Sequence, residues 1–210
     1  MLEKIKWLGH ASFRIEGEKT IYIDPWRLKK DLPKADIVLI THNHYDHCSP
    51  EDVQKISKGG KETVIVANKT SALSFSDMEV KTVKPGDKIT VHNVDIKVTP
   101  AYNINKPFHP KSSDGLGFIV TVSGQQIYHS GDTDIIPEMK NIKCDIVLLA
   151  VSGTYVMTAS EAAKAAEMLK PKIAVPMHYG EIVGGNEDAQ KFINLCKKLS
   201  IEANVKNKEQ

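Results

Sequence analysis

Short apolar runs, most of four to seven residues, recur along the 210-residue chain between turn residues, too short for buried helices and suited to strands. Residues 5–15 and 20–24 are two β-rich runs joined by Glu16-Gly17-Glu18-Lys19, a hairpin signal. Asp36-Ile37-Val38-Leu39-Ile40 reads as a buried strand. Ser49 then caps a helix over 50–57, with Pro50 in its first position, acids in its first turn and Gly59-Gly60 as its stop. A strand over 63–67 and a brief helix over 68–73 follow. Strands over 80–83, 88–91 and 94–99 are separated by Pro85-Gly86-Asp87 and His92-Asn93. Residues 116–122 and 126–129 pair across Ser123-Gly124.

The last third alternates strand and helix. Residues 145–151 form a buried strand, with Cys144 in its core. Thr158-Ala159-Ser160-Glu161 is a capping box, and Ala159, Ala162, Ala163, Ala166 and Leu169 make an apolar stripe behind it. Pro171 ends that helix, and 173–176 is a strand. Asn186 caps a final helix that turns Ala189, Phe192, Ile193, Cys196 and Leu199 inward. Strand-rich blocks punctuated by single helices predict an α+β protein, its sheets covered by helices on their outer faces. Residues 103–115 have no periodicity and exceed a simple turn, and segments of that length in compact domains often serve function.

The chemistry gathers where the apolar run 36–40 ends. Thr41-His42-Asn43-His44-Tyr45-Asp46-His47 holds three histidines and one aspartate within six residues. A lone histidine is more often a satisfied core or surface residue than a ligand, but this density points to a metal. His42 and His44 are two apart, point the same way in extended chain, and can share one cation. Asp46 and His47 are adjacent, diverge, and could serve a second cation beside the first. Imidazole and carboxylate suit zinc, manganese or iron.

Composition narrows the class. Charged residues at 26% and apolar residues at 41% describe an ordinary soluble globule, and the length suits one domain spanning 1–210. A net charge of +2 and 6% aromatic residues give no case for nucleic acid, leaving a small molecule as the partner. No apolar run approaches the roughly 20 residues of a membrane span. Residues 1–6 lack the apolar region of a signal peptide. Cys48, Cys144 and Cys196, odd in number and far apart, favour reduced thiols and a cytoplasmic location. Cys48 reads as a packed thiol rather than a ligand.

His42-Asn43-His44-Tyr45-Asp46-His47 resembles the His-x-His-x-Asp-His signature of the metallo-β-lactamase superfamily. Asp24 after Ile21-Tyr22-Ile23, Gly131-Asp132-Thr133, and Pro176-Met177-His178-Tyr179-Gly180 resemble further motifs in that family's order, so the likeness spans nearly the whole chain. Trp7-Leu8-Gly9-His10-Ala11-Ser12-Phe13 resembles the opening of the branch containing ascorbate-6-phosphate lactonase and the phospholipase D that cleaves N-acyl-phosphatidylethanolamines. The resemblance implies a four-layer αββα sandwich with two divalent cations at one sheet edge, zinc first, manganese or iron as alternatives. It also implies that Asp132 bridges both cations and that His178 completes the second with Asp46 and His47. Asp24 and Asp134 suit a role of orienting ligating imidazoles, and His129 is either such a group or core.

Relatives place a third histidine for the first cation after a central strand. Here Val98-Thr99-Pro100-Ala101-Tyr102-Asn103 has none, and Asn103 stands in that position as a weaker neutral ligand. His109 could replace it, bind substrate, or act as a general acid from a proline-flanked lid. Asp46, Asp132 and His109 are the candidate catalytic residues. Two adjacent cations would generate hydroxide from bound water near neutral pH for attack on a phosphorus or carbonyl centre. The expected activity is therefore metal-dependent hydrolysis of a phosphodiester, lactone or ester. The alternative is a non-catalytic metal-binding or ligand-sensing module, favoured by the missing histidine. A redox di-iron protein is disfavoured because flavodiiron relatives carry glutamate where His44 stands.

Overall fold

The computed structural model describes residues 1–29 and 31–209. The first sheet takes six strands in chain order: β1 (Ile5–Gly9), β2 (Ser12–Glu16), β3 (Thr20–Ile23), β4 (Ile37–Ile40), β5 (Val64–Ala67) and β6 (Glu79–Thr82). β1 to β3 are antiparallel; β3 to β6 run parallel. The second sheet comprises β7 (Lys88–Val91), β8 (Val94–Pro100), β9 (Leu116–Val122), β10 (Gln125–His129), β11 (Ile146–Ala150), β12 (Ile173–Met177) and β13 (Glu202–Ala203), also neighbours in chain order. β7 to β10 are antiparallel and β10 to β13 parallel.

Strand periodicity decides what each face buries. On β4, Ile37 and Leu39 enter the large core shared by both sheets, while Val38 and Ile40 face the other way. There they join Val53 and Ile56 of α1 (Pro50–Ile56) and Phe75, below α2 (Lys69–Ala72). β5 repeats the division, with Val64 and Val66 in the shared core and Ile65 and Ala67 outside it. On the second sheet, the alanine stripe of α3 (Ala159–Leu169) and Ala189, Phe192 and Cys196 of α4 (Asn186–Lys198) join the core. This is an αββα sandwich. No helix among the described residues is long and apolar enough to cross a membrane, and Cys48, Cys144 and Cys196 are unpaired.

Several sequence-based expectations shift. The run 5–15 is itself two strands, because Gly9 (φ +111°) and His10 (φ +50°) turn the chain in the left-handed region. A side chain at Gly9 would collide with Glu181 and Lys208. The α1 helix ends at Ile56 with an extended Ser57, before the glycine pair. Gly185, not Asn186, is the cap of α4; its N–H donates to Asp188 (3.0 Å). Leu199 falls outside the core and is exposed.

Three hydrogen bonds stitch the two sheets together at one end. His178 N–H donates to the His10 carbonyl (2.9 Å), Leu116 N–H to the Thr41 carbonyl (2.9 Å), and the His129 ring to the Ala11 carbonyl (2.9 Å).

Phe192 is completely buried between α4 and its sheet. Phe192→Ala is expected to lower unfolding stability by about 3–5 kcal/mol, read from urea denaturation.

Candidate metal centre

Strand ends deliver the site. β4 stops at Ile40, and Thr41 locks onto Asp24 at the end of the neighbouring β3: its N–H donates to Oδ1 (2.8 Å) and its hydroxyl to Oδ2 (2.6 Å). The next residues form a compact turn in which His47 and Cys48 N–H groups both donate to the His44 carbonyl (3.0 and 2.8 Å). Asp132 follows β10 through Gly131, whose φ of +62° and tight approach to the Leu116 carbonyl leave no room for a side chain. His178 follows β12, and His10 sits in the turn between β1 and β2. His109 lies in the segment linking β8 and β9.

The side chains converge in three overlapping groups: His42 with His44 and His109; His10 with Asp46, His47 and His178; and His42 with His47 and Asp132. His44 Nδ1 lies 3.0 Å from His42 Nε2 and 3.1 Å from His109 Nε2. Asp132 Oδ2 lies 3.1 Å from His178 Nε2, 3.5 Å from His109 Nε2 and 4.0 Å from His42 Nε2. Its Oδ1 is 3.5 Å from His47 Nε2, and His47 Nε2 is 3.5 Å from Asp46 Oδ2.

The far side of each ring says which nitrogen is free. The Tyr155 carbonyl (3.2 Å) can only accept, so neutral His109 carries its proton on Nδ1 and aims a lone pair from Nε2 into the group. Asp24 does the same for His47 Nδ1 (2.7 Å). Thr41 donates its hydroxyl to Asp24, so toward His42 Nδ1 (2.9 Å) it accepts, again freeing Nε2. Ser152 Oγ holds His178 Nδ1 (3.0 Å).

Burial pushes His42 and His109 below the usual imidazole range, suiting them to be neutral donors. Burial also opposes charge on His47, but Asp132, Asp24 and Asp46 outweigh it and hold that ring up at about 10. Burial would raise Asp46, yet the His10 hydrogen bond and His47 bring it down to about 2. Burial likewise opposes ionisation of Asp132, and His178 and His47 keep it well below the carboxylate range. The carboxylates thus require a cation among them. His47 Nε2 and Asp132 Oδ1, both buried, have no hydrogen-bond partner among the described residues. Donors about 2.0–2.1 Å from a tetrahedral zinc lie roughly 3.4 Å apart, close to the spacings here. The donor set fits divalent cations.

The histidines and aspartates expected as ligands, His42, His44, Asp46, His47, Asp132 and His178, meet here. Asn103 donates its amide nitrogen to the Phe108 carbonyl (2.9 Å) and the Tyr155 carbonyl (2.7 Å), so it clamps the segment that carries His109, while its Oδ1 is buried without a hydrogen-bond partner among the described residues. His109 itself is buried and takes the place beside His42 and His44, not a free lid. Asp134 orients no imidazole; it receives Ile104 N–H (2.9 Å) and Lys106, anchoring the same segment. Asp24 does orient His47. His129 is a buried brace, donating to Ala11 and accepting Gly131 N–H (3.1 Å) ahead of Asp132. His10, given no role from sequence, donates to Asp46 Oδ2 (3.0 Å) and lies against the His178 ring, centroids 3.9 Å apart and planes tilted by 43°. Only its place in the His10-Ala11-Ser12 motif signalled it. A cavity of about 380 Å³ opens over the site, lined by His44, Asp46, His109, Asp132 and His178 together with Phe108, Tyr155 and Ile182.

Residues 4–178 match the β-lactamase superfamily domain. A UPF0173 metal-dependent hydrolase of Archaeoglobus fulgidus is 33% identical over 219 aligned residues, covering 96% of this chain and 94% of its own. A solved structure from Parabacteroides distasonis, described as a candidate metal-dependent hydrolase, superposes with a TM-score of 0.86 at 36% identity, covering 98% of this chain and 93% of that one. Igni18, a metallo hydrolase of Ignicoccus hospitalis, superposes with a TM-score of 0.79 at 26% identity, over 98% and 95% of the two chains.

Asp24→Asn replaces an acceptor by an amide that can turn its N–H toward His47, confusing the ring's orientation. It is expected to weaken divalent metal affinity by about 10–100-fold in competition with a chelating dye, with the fold retained by circular dichroism.

Proposed function

The chain belongs to the β-lactamase superfamily and is a metal-dependent hydrolase of that fold; from that premise we propose a two-cation site acting on a small phosphodiester, lactone or ester. His42, His44 and His109 would hold one divalent cation, Asp46, His47 and His178 the other, and Asp132 would reach both. Zinc suits this imidazole and carboxylate set first, with manganese or iron as alternatives. The observation that carries the proposal is Asp132, whose two oxygens face His178, His109 and His47 at 3.1–3.5 Å. Bound divalent cations supply Lewis acidity, acidifying a water and polarising the oxygen of the scissile group.

The chain's own groups do the rest. Asp24, Thr41, Ser152 and the Tyr155 carbonyl hold the imidazoles so that no reorientation is needed. His10 pins one oxygen of Asp46, which lines the cavity and stays ionised. Held down at about 2, Asp46 is a weak base, suited to hold a cation and orient water rather than to take its proton, and His109, pulled into the ligand group, is not suited to be a general acid. The phosphodiester and lactone classes rest on the likeness of Trp7 to Phe13 to the branch that includes ascorbate-6-phosphate lactonase. A non-catalytic module was attractive only while the first cation lacked a third imidazole, and His109 supports catalysis instead. The unpaired cysteines support a cytoplasmic location.

Elemental analysis of gently purified protein is expected to find about one to two transition-metal ions per chain, removable by chelation with loss of hydrolysis. No metal, and none taken up on titration, overturns the assignment. Asp132→Ala is expected to lose both metal and rate, the latter on the order of 100-fold or more. His109→Ala is expected to lower metal content by up to about one equivalent; full occupancy with reduced turnover would return His109 to a substrate or acid role.

A further inference from the structure

The part of the cavity lining that holds no candidate metal ligand has a chemistry that hydrolysis alone does not require. Phe108 comes from the segment before β9, Tyr155 from the loop after β11, Ile182 from the loop after β12, and Tyr45 from the metal-binding turn. Four separate stretches of chain thus bring large apolar or aromatic side chains to one mouth. Phe108 meets Tyr155 edge to face (4.7 Å, 90°), and Tyr45 stands edge to face on Trp26 (6.0 Å, 72°). Yet Tyr45 remains 66% exposed, Phe108 43% and Ile182 37%. Scattered exposed apolar residues are ordinary, but several converging on a cavity mark a surface that a ligand covers.

Charge points the same way. No lysine or arginine is among the described residues lining this cavity. Lys106 and Lys111, the cations nearest in sequence to Phe108 and His109, are engaged elsewhere, as is Arg27 beside Trp26. Arg27 lies over Trp26 and donates to Glu181 (3.2 Å), Lys106 is held by Asp134, and Lys111 pairs with Glu138 (3.0 Å). Sites that take sugar phosphates or multiply charged phosphoesters supply arginine or lysine to the second anionic group. This one offers an apolar wall instead.

We infer that the substrate is an uncharged ester or lactone whose apolar or aromatic body sits against Phe108, Tyr155, Ile182 and Tyr45. This rests on the metal-dependent hydrolase reading and chooses within it. One water is consumed: its oxygen bonds to the carbonyl carbon, the acyl C–O bond breaks, and a proton passes to the departing alkoxide. The products are a carboxylic acid and an alcohol, joined in one hydroxy acid for a lactone.

The test uses metal-loaded full-length protein, its metal content measured beforehand, with p-nitrophenyl esters from acetate to octanoate and γ-lactones with lengthening alkyl groups. Bis(p-nitrophenyl) phosphate and p-nitrophenyl phosphate serve as the charged comparison. The expected result is a kcat/KM that rises about 2–4-fold per methylene over the first several carbons and exceeds that for either phosphate ester. Phe108→Ala and Ile182→Ala should each flatten the chain-length dependence while keeping the metal stoichiometry, which a merely structural role would not do. A flat profile, or turnover of the phosphate esters in preference to every carboxylic ester and lactone, overturns the inference and leaves the hydrolase reading standing. Hydrolysis of nothing in the panel by protein that holds its metal overturns both.

Discussion

A single buried carboxylate, Asp132, sits where the ring nitrogens of His42, His47, His109 and His178 come together. An ion removed from water is tolerated only when opposite charge and hydrogen-bond donors surround it. That requirement explains the arrangement around it. Imidazoles approach from four directions, each braced from behind by a hydroxyl, a carboxylate or a carbonyl. Without a metal, the positive charge falls on His47, which three carboxylates hold protonated up to about 10. A divalent cation competes with that proton for the same ring nitrogen.

The site is also the seam of the sandwich. The bonds from His178 to His10, from Leu116 to Thr41 and from His129 to Ala11 cross between the two sheets, each with one end at or within three residues of a candidate ligand. Closing the sandwich and assembling the metal group are therefore one structural event. The backbone there is held in an uncommon state. His10, Asp24, His109 and His178 all have φ between +46° and +60°, each at a cost on the order of 1 kcal/mol for a residue with a side chain. His178 and His10 are joined by one of the cross-sheet bonds, and Asp24 is fixed by Thr41. Positive φ also occurs in turns away from the site, as at Asn93 and Ser123, but at these four residues tertiary contacts must hold it.

The loops above the seam divide the remaining work. Asn103 and Asp134, both polar and both near the candidate ligands, fasten the 103–109 segment by its backbone groups. That fastening lets a segment without periodicity deliver one buried imidazole, His109, and one half-exposed phenyl ring, Phe108, to the lining of the same cavity.

What the sequence determined by itself was local. The alternation of β4 and β5, the caps of α1 and α3, and the His42–His47 spacing are set by neighbours a few residues apart, where covalent geometry limits the outcome. The resemblance of these motifs to a known superfamily extended that reading to the αββα layering, and to Asp132 and His178. Only the tertiary structure decided which residue stands third beside His42 and His44. Asn103 holds the expected chain position, but the path of the segment after it, tied down by Tyr155 and Asp134, carries His109 inward instead. His10 was silent for the same reason, since its partner Asp46 is 36 residues away and meets it only when the sheets close. The β1–β2 turn was hidden because a glycine and a left-handed histidine can end a strand inside a continuous β-rich run. Side-chain type and spacing specify which groups are available, whereas their partners are chosen by long-range packing that no local pattern encodes.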